Sequence, residues 1–464
     1  MNLRSGKRQT LLLSVVNGLV RAMGLGLRVW LSRMLGAEIM GIGELAGSVH
    51  MAAITPLTSG LPSAISRLTA RASEDDRQQP LLAGLWFTRV VSAILIPLLL
   101  LLSPLIARLM GDARVLPSLW FTAPCVLVLG YSASLNGYCY GTDQSLLPAG
   151  SELLEQIARV GLSLLLLTLL TGLTAPWLAA VPVAATMLAE ILGLWYVLRG
   201  LSPLSLRDTA DPKWRRPLFH LAFPATLTRL LQTLLRSATA VLIPLRLQHS
   251  GLSMAESTAR LGMLNGMVMP ILLLPGIFTS ALSMVALPRL AKAEENRQAI
   301  CRLIFRCAGA CCAVGLACAG VIHLSAGLLA HVVYRQAELA SLFRLCAPLT
   351  ALLAIEHMLG SVLTALGQQK SAMIGASAVS ALSLGLIWTL AALPDWRLHG
   401  VILSHYASHL ASLLWELGVL FRWFRRAGFC DRCDPSPGSP VHRDDTPPAA
   451  ASTKAPDGRS SSLP

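Results

Sequence analysis

Four arginines lie inside long apolar runs of this sequence, in two pairs with the same spacing. Arg21 and Arg28 belong to LVRAMGLGLRVWL, and Arg229 and Arg236 belong to LTRLLQTLLRSAT. Residues seven apart share nearly one face of a helix, so each pair directs two guanidinium groups to one side. A guanidinium stays charged and binds phosphate through parallel hydrogen bonds. The four arginines therefore indicate a site for an anionic, phosphate-bearing group.

A structural alternative needs no ligand. Arginines near the end of a membrane helix extend to the interface, and deeper ones pair with carboxylates. Four acids within apolar runs are available for such pairing: Glu44, Glu190, Glu356 and Glu416. An unpaired arginine at the centre of a bilayer costs roughly 2.5–3.5 kcal/mol on insertion scales. The pattern favours a cationic, water-filled cavity between the two halves of the chain over structural pairing of the arginines.

A second set of polar residues lies in the last apolar run, HYASHLASLLWE. His405, His409 and Glu416 are spaced by four and seven residues, which puts them on one helix face. This arrangement is typical of a proton relay or a cation site inside a membrane. The alternative is that the two histidines simply pack between helices, and the pattern favours this alternative. Glu356 is a weaker candidate for the same coupling role.

A third motif, SELLEQIARV, places Glu155 and Arg159 four residues apart. Such a pair ordinarily stabilises a helix, and a gating role is the alternative. Cys430 and Cys433 form a CxxC without the second pair or histidine cluster of a zinc site, so neither a metal nor a cofactor is predicted. The chain also lacks GxSxG, HExxH and the glycine-rich phosphate-binding loop, and it is not expected to be an enzyme.

The composition of the chain indicates that these residues lie in a membrane protein. The 464-residue chain is 54% hydrophobic and 13% charged, whereas soluble domains carry about 25% charged residues. Apolar runs of about 20 residues, enough to cross a bilayer, recur along the chain. The sequence predicts an all-α membrane protein with about twelve spans, near 10–34, 40–68, 82–108, 116–140, 147–171, 176–198, 219–247, 259–287, 301–330, 339–366, 371–393 and 399–424.

The net charge of +14 reflects membrane topology. Lysines and arginines concentrate in the N-terminal segment, in alternate loops and at the end of the last span. Cytoplasmic loops carry this excess, so both termini are predicted to face the cytoplasm from the cell membrane. No aromatic and basic surface indicates nucleic acid. Residues 427–464, rich in Pro, Ser, Asp and Gly, are predicted to be a disordered cytoplasmic tail.

Internal repeats divide the spans into two halves. The second arginine pair follows the first at an offset of 208 residues, TSGLPSAISRL resembles TSALSMVALPRL, and GTDQSLLPAG resembles GQQKSAMIGA, in the same order. The sequence therefore predicts two six-helix lobes, residues 1–198 and 219–426, joined by a cytoplasmic linker at 199–218. Parallel repeats of this kind are related by a pseudo-twofold axis along the membrane normal.

The order of several segments resembles a known family. LSRMLGAEIMGIGELAGSV, ITPLTSGLPSAISRLTA and GSELLEQIARV follow a basic N-terminal segment. The series resembles the polysaccharide-transporter branch of the multidrug/oligosaccharidyl-lipid/polysaccharide exporter superfamily. The nearest group is that of stage V sporulation protein B, related to lipid II flippases. The resemblance covers residues 1 to about 425.

The resemblance implies a flippase with two lobes around a cavity that opens alternately to each side. Its implied substrate is a polyprenyl diphosphate carrying sugars, with Arg21 and Arg28 on the diphosphate. Membrane lipids and enzymes of cell-wall or polysaccharide synthesis would be its partners. Many members carry two further C-terminal helices that hold the lipid tail, and this chain has only twelve predicted spans.

Two rival functions remain open. A cation-coupled multidrug exporter would share the fold, although four arginines would repel its cationic substrates. A membrane glycosyltransferase or polymerase would use a similar lipid-linked donor, but such enzymes usually have a large outer loop. Every loop between the predicted spans is short, so the sequence favours the flippase.

Overall fold

The computed structural model describes residues 3–170, 172–201, 211–279, 282 and 297–426. This part of the chain is mostly helical and contains no β-strand, and each predicted span lies largely on helix over its described residues. The helices are α1 (Leu3–Thr58), α2 (Gly60–Arg71), α3 (Gln79–Leu109), α4 (Leu116–Gly141), α5 (Leu146–Leu169), α6 (Ala175–Gly200), α7 (Pro212–His249), α8 (Met254–Leu261), α9 (Met269–Leu272), α10 (Arg297–Leu328), α11 (Leu339–Cys346), α12 (Leu349–Ala365), α13 (Gln369–Leu390) and α14 (Arg397–Arg426).

Several spans are broken or bent. The first span and most of the second form α1, and the second continues into α2. Helix α1 is interrupted at Gly36 with φ 77° and ψ 174°, a conformation that glycine adopts without steric cost. The eighth span continues from α8 through a π-helix, Gly262–Val268, into α9. The tenth consists of α11 and α12, which meet at an angle of 46°.

Apolar character differs among the helices. Among the described residues, six helices, or seven if α11 and α12 form one span, are long and apolar enough to cross a membrane. The more polar spans include α1, α5 and α14, which carry most of the candidate site residues. Large apolar side chains such as Leu101 and Leu324 are exposed on the outer surface, as expected where lipid is the solvent.

The two lobes are in direct backbone contact at one end of the molecule. A Cβ atom on Gly41 of α1 would lie 1.9 Å from the carbonyl oxygen of Thr258 on α8, so only a glycine fits there. Gly262 of the π-helix approaches α1 as closely, since a Cβ on Gly262 would lie 2.0 Å from the carbonyl oxygen of Ala37. Pairs of small residues allow such close approach of membrane helices.

Polar side chains reinforce this contact. The carboxylate of Asp112, which is buried, accepts hydrogen bonds from Arg114 Nη2 at 2.8 Å and from Thr258 Oγ1 at 3.1 Å. Arg114 also forms an ion pair with Glu38. We refer to Gly41, Asp112, Arg114, Thr258 and Gly262 as the lobe clasp.

Candidate functional site

A cavity of about 630 Å³ lies between the lobes, away from the lobe clasp. Helix α2 of the first lobe and helices α7, α12, α13 and α14 of the second contribute to it. Gln369, the first residue of α13, is among the lining residues. Two charged residues, Arg229 and Glu416, line its wall. The other polar lining residues are small or neutral: Thr58, Ser59, Ser63, Thr228, Gln232, Thr364 and Gln369.

Three of the four predicted arginines lack an acidic partner. Arg21, Arg229 and Arg236 are exposed, and no described carboxylate lies within ion-pair distance of them. Arg21 lies within electrostatic range of His357 on α12, in the opposite lobe. Arg236 precedes Ser237, whose hydroxyl donates to the carbonyl of Ser48 on α1 at 2.8 Å. Of the three, Arg229 lines the cavity.

Arg28 differs from the other three. Its Nη2 forms an ion pair with Glu44 across the break at Gly36, which matches the structural alternative to a ligand site. The Arg28 side chain nevertheless keeps 40% of its surface exposed. Since a guanidinium has five N–H donors, this pairing leaves donors on Arg28 for a second anion.

The polar residues predicted on the last span meet α12. Glu356 Oε2 lies 2.7 Å from His409 Nδ1, and the rings of His405 and His409 stack with centroids 6.3 Å apart. Glu416 lies further along the same helix and reaches the cavity. Helical spacing predicted that His405, His409 and Glu416 share one face of α14. The contact between Glu356 and His409 also depends on the rotation of α12 about its own axis, which the spacing on α14 does not specify.

Arg159 pairs with a different acid from the one its spacing suggests. It donates to Glu190 on α6 at 3.3 Å, whereas Glu155 accepts a hydrogen bond from the Ser151 hydroxyl at 2.6 Å. The expected pair between Glu155 and Arg159 is therefore absent from the described ion pairs. His50 of α1, which is buried, lies within electrostatic range of Arg159. The sequence missed His50 because a single histidine in an apolar run has no partner spacing.

Some predictions concern residues that lie outside the described ranges. They include Cys430 and Cys433, the tail at 427–464 and much of the linker at 199–218. Within the described ranges, no group of three or more His, Cys, Asp or Glu side chains is arranged to hold a metal ion.

Comparison with known proteins relates this geometry to a family. A family model described as polysaccharide biosynthesis protein matches residues 7–294. Stage V sporulation protein B of Bacillus subtilis (strain 168) is 26% identical over 411 residues, which span 85% of this chain and 79% of that protein.

Solved structures share the fold. A structure of the lipid II flippase MurJ in an inward closed conformation matches with a TM-score of 0.70 at 14% identity, covering 88% of this chain and 87% of that one. A multidrug resistance MATE family transporter of the MOP superfamily, in an inward-facing conformation, matches with a TM-score of 0.69 at 15% identity, covering 91% of this chain and all of the other.

These matches confirm the fold class predicted from the sequence, an all-α, multi-pass membrane protein of twelve helices in two lobes. They also confirm the resemblance noted for the segments of the first lobe. Because the family model covers more than half of its residues, the chain belongs to the polysaccharide biosynthesis protein family.

Proposed function

We propose that this protein is a flippase that moves a polyprenyl-diphosphate-linked oligosaccharide across the cytoplasmic membrane by alternating access. The observation that carries the proposal is the cavity between the lobes, where Arg229 has no described carboxylate partner. The similarity to stage V sporulation protein B and to the lipid II flippase fold supports the same substrate class. We propose no catalytic role.

The diphosphate would be held by arginines from both lobes. Arg229 supplies a guanidinium in the cavity wall. Arg236 supplies a second beside Ser237 on the seam between α1 and α7, and Arg21, within electrostatic range of His357 on α12, supplies a third. Arg28 would join them by exchanging Glu44 for a phosphate oxygen. Diphosphate carries more charge than a monoester, so it gains more from several guanidinium groups.

The lobe clasp and the cavity would represent one state of the transport cycle. The cavity lining includes Gln369 at the α12–α13 connection, whereas the clasp joins the lobes where α1 meets α8. The basic loops predict that the cavity end faces the cytoplasm. In this orientation the head group would enter from the cytoplasmic leaflet, and both termini would be cytoplasmic.

Coupling and gating have separate candidate sites. We propose Glu356 and His409, with His405 and Glu416 beside them, as a site for proton coupling, since histidine and carboxylate chains carry protons in transporters. Simple packing of α12 against α14 is the alternative. Glu155 and Arg159 would contribute to gating through the contact of Arg159 with Glu190.

The decisive experiment measures binding of a polyprenyl diphosphate to the purified protein, with a monophosphate of the same tail for comparison. Arg229→Ala is expected to weaken diphosphate binding roughly ten- to a hundredfold, because a charge-assisted hydrogen bond contributes about 1.5–3 kcal/mol. Arg229→Lys keeps the charge without the bidentate geometry and is expected to recover only part of the affinity.

Gln232→Ala is the matched control, because Gln232 lines the same cavity one helical turn from Arg229 without a charge. It is expected to bind the diphosphate nearly as the parent does. Parental affinity in both Arg229→Ala and Arg236→Ala would mean that these arginines are structural and that the head group binds elsewhere.

One observation favours a second function, cation-coupled multidrug export. Glu416 lines the same cavity as Arg229, and a carboxylate there could bind a cationic drug. This function predicts that a quaternary ammonium compound binds the parent protein and that Glu416→Gln abolishes the binding. The flippase proposal predicts no such binding, because the arginines of the seam repel the cation.

A further inference from the structure

A second pocket, of about 370 Å³, lies between α2, α3 and α7. Its wall is apolar and includes Leu61, Phe87, Val90 and Leu218, and two arginines also line it, Arg215 and Arg216. The tight contact of α2 with α7, where a Cβ on Gly60 would lie 2.2 Å from the Ala222 carbonyl oxygen, lies between this pocket and the cavity of the lobes. The pocket is therefore a site of its own.

Aromatic side chains give the pocket its shape. The guanidinium carbon of Arg215 lies 4.3 Å from the centre of a Trp86 ring, in a cation–π arrangement. Phe219 lies 6.3 Å from Phe87 and 5.1 Å from Phe223, measured between ring centroids. Trp86 and Phe219 are 37% and 45% exposed, so the apolar wall is accessible from outside the helices.

The pocket lies where two apolar spans begin. Arg215 and Arg216 occupy the first turn of α7, which starts at Pro212, and Trp86 lies about two turns into α3, which starts at Gln79. Tryptophan and arginine concentrate at this level of a membrane protein, where the hydrocarbon meets the head groups. A ligand in the pocket would place its polar end beside the arginines and its apolar end among the aromatic rings.

Charge decides which kind of lipid fits. Among the residues that the structure describes, the pocket lining contains two arginines and no acidic residue. The carboxylate of Asp211 accepts a hydrogen bond from the Lys213 backbone N–H at 3.0 Å and lies 3.0 Å from Lys213 Nζ. These two contacts hold the pKa of the Asp211 carboxyl below its usual value. Basic pockets between membrane helices bind anionic head groups, whereas a zwitterionic choline head group would bring a second positive charge to the arginines.

We propose that this pocket binds an anionic phospholipid of the bilayer, with its phosphate on Arg215 and Arg216 and one acyl chain against Phe87, Val90 and Phe219. The bound lipid would fix the start of α7 against α3. This site is separate from the diphosphate site of the proposed function, and a failure of one leaves the other intact.

The test is a titration of the purified full-length protein with phosphatidylglycerol, followed by native mass spectrometry. The double variant Arg215→Gln/Arg216→Gln is expected to bind phosphatidylglycerol about thirtyfold more weakly, the effect of removing two basic side chains next to an anionic lipid. Phosphatidylcholine with the same acyl chains is expected to bind the parent as weakly as phosphatidylglycerol binds the double variant.

Arg246→Gln is the matched control for charge. Arg246 also stacks on a tryptophan, Trp388, at 4.2 Å, near the opposite end of α7. This variant is expected to retain the parental affinity for phosphatidylglycerol. An equal loss in Arg246→Gln would show that total charge, and not the pocket, governs binding.

Val90→Trp tests the acyl chain. Val90 is exposed, so a larger side chain there would fill the pocket without disturbing the core, and binding is expected to fall about tenfold with both arginines in place. Parental affinity in the double variant or in Val90→Trp would overturn the proposal. So would displacement of phosphatidylglycerol by an equimolar polyprenyl monophosphate or by inorganic phosphate, since the occupant would then be the carrier lipid or a free anion.

Discussion

The two ends of the lobe interface differ in how closely the backbones approach and in whether the charged side chains are paired. At the lobe clasp, glycines bring backbones into contact, and the buried carboxylate of Asp112 is hydrogen-bonded by Arg114 and Thr258. At the cavity, Arg229 has no described carboxylate partner. In the clasp, the charge of Asp112 is neutralised by Arg114, so this contact needs no ligand. In the cavity, the charge of Arg229 is available to a bound anion. The difference explains why one end is closed and the other is open.

Breaking the clasp at Gly41 is expected to have the largest effect. In Gly41→Val the new side chain would meet the Thr258 backbone, which cannot rotate away. Overpacking typically costs roughly 1–3 kcal/mol and occasionally more. Because this clash is with backbone, its cost is expected to exceed that range, and the closed arrangement is expected to lose about a hundredfold or more in population. The measurement is the distance between spin labels at the exposed positions 34 and 254, in a background without native cysteines.

Gly43→Ala is its control, because Gly43 lies on the same helix and a Cβ there meets no described atom within 4 Å. The label distance is expected to remain parental in that variant. If Gly41→Val also leaves the distance unchanged, the clasp does not hold the lobes together.

Arg114→Ala is expected to have the next largest effect. It leaves Asp112 buried and without its cation, and removing one partner of a buried pair costs about 3–5 kcal/mol. Arg114 keeps 21% of its side-chain surface exposed, which puts the expected loss near the lower limit. Thermal unfolding measures it. The double variant Asp112→Asn/Arg114→Ala is expected to recover part of the stability, and no recovery would mean that the charge of Asp112 is not what Arg114 neutralises.

Gly360→Ala sharpens the comparison from the cavity side. A Cβ on Gly360 would lie 3.5 Å from Glu416 Oε1, an ordinary contact, so no helix has to move. Reduced freedom of the unfolded chain is expected to stabilise the protein by about 0.4–1 kcal/mol. Unfolding temperature and substrate binding both measure the outcome. If Gly360→Ala destabilises the protein as much as Gly41→Val, the cavity end is packed as tightly as the clasp, and the contrast between the two ends is wrong.

The smallest expected effect concerns pH at the start of α8, which supplies Thr258 to the clasp. Glu256 accepts hydrogen bonds from the Ser253 backbone and hydroxyl at 2.9 and 2.7 Å, and these bonds lower the pKa of its carboxyl below 4.5. The lowered pKa contributes stability above the ordinary value of the group, and this contribution is lost as pH falls through the folded-state value.

Ser253→Ala removes the hydroxyl bond, so the melting temperature of this variant is expected to depend less on pH between 7 and 3 than that of the parent. Ser341→Ala provides the comparison, because the Ser341 hydroxyl donates only to the carbonyl oxygen of Glu338. Identical pH curves for Ser253→Ala and the parent would contradict the role of the capping bond.

Hydropathy predicted the helical membrane spans because it depends on residues close together in the sequence. The contact between Glu356 and His409 joins residues 53 apart, and that between Arg159 and Glu190 joins residues 31 apart. Helical spacing defines which residues share a face, but the rotation of the neighbouring helix decides what that face meets. For the same reason the sequence did not predict the role of Gly41, which depends on its contact with the carbonyl oxygen of Thr258 on α8.

The ion pair of Arg28 and Glu44 has a consequence for biosynthesis. Its partners stand at equal sequence distance on either side of Gly36, where the chain turns back. The first two spans can therefore enter the bilayer as one hairpin in which the two charges neutralise each other. Insertion of this hairpin does not have to wait for a counter-ion from the second lobe, which the ribosome has not yet made.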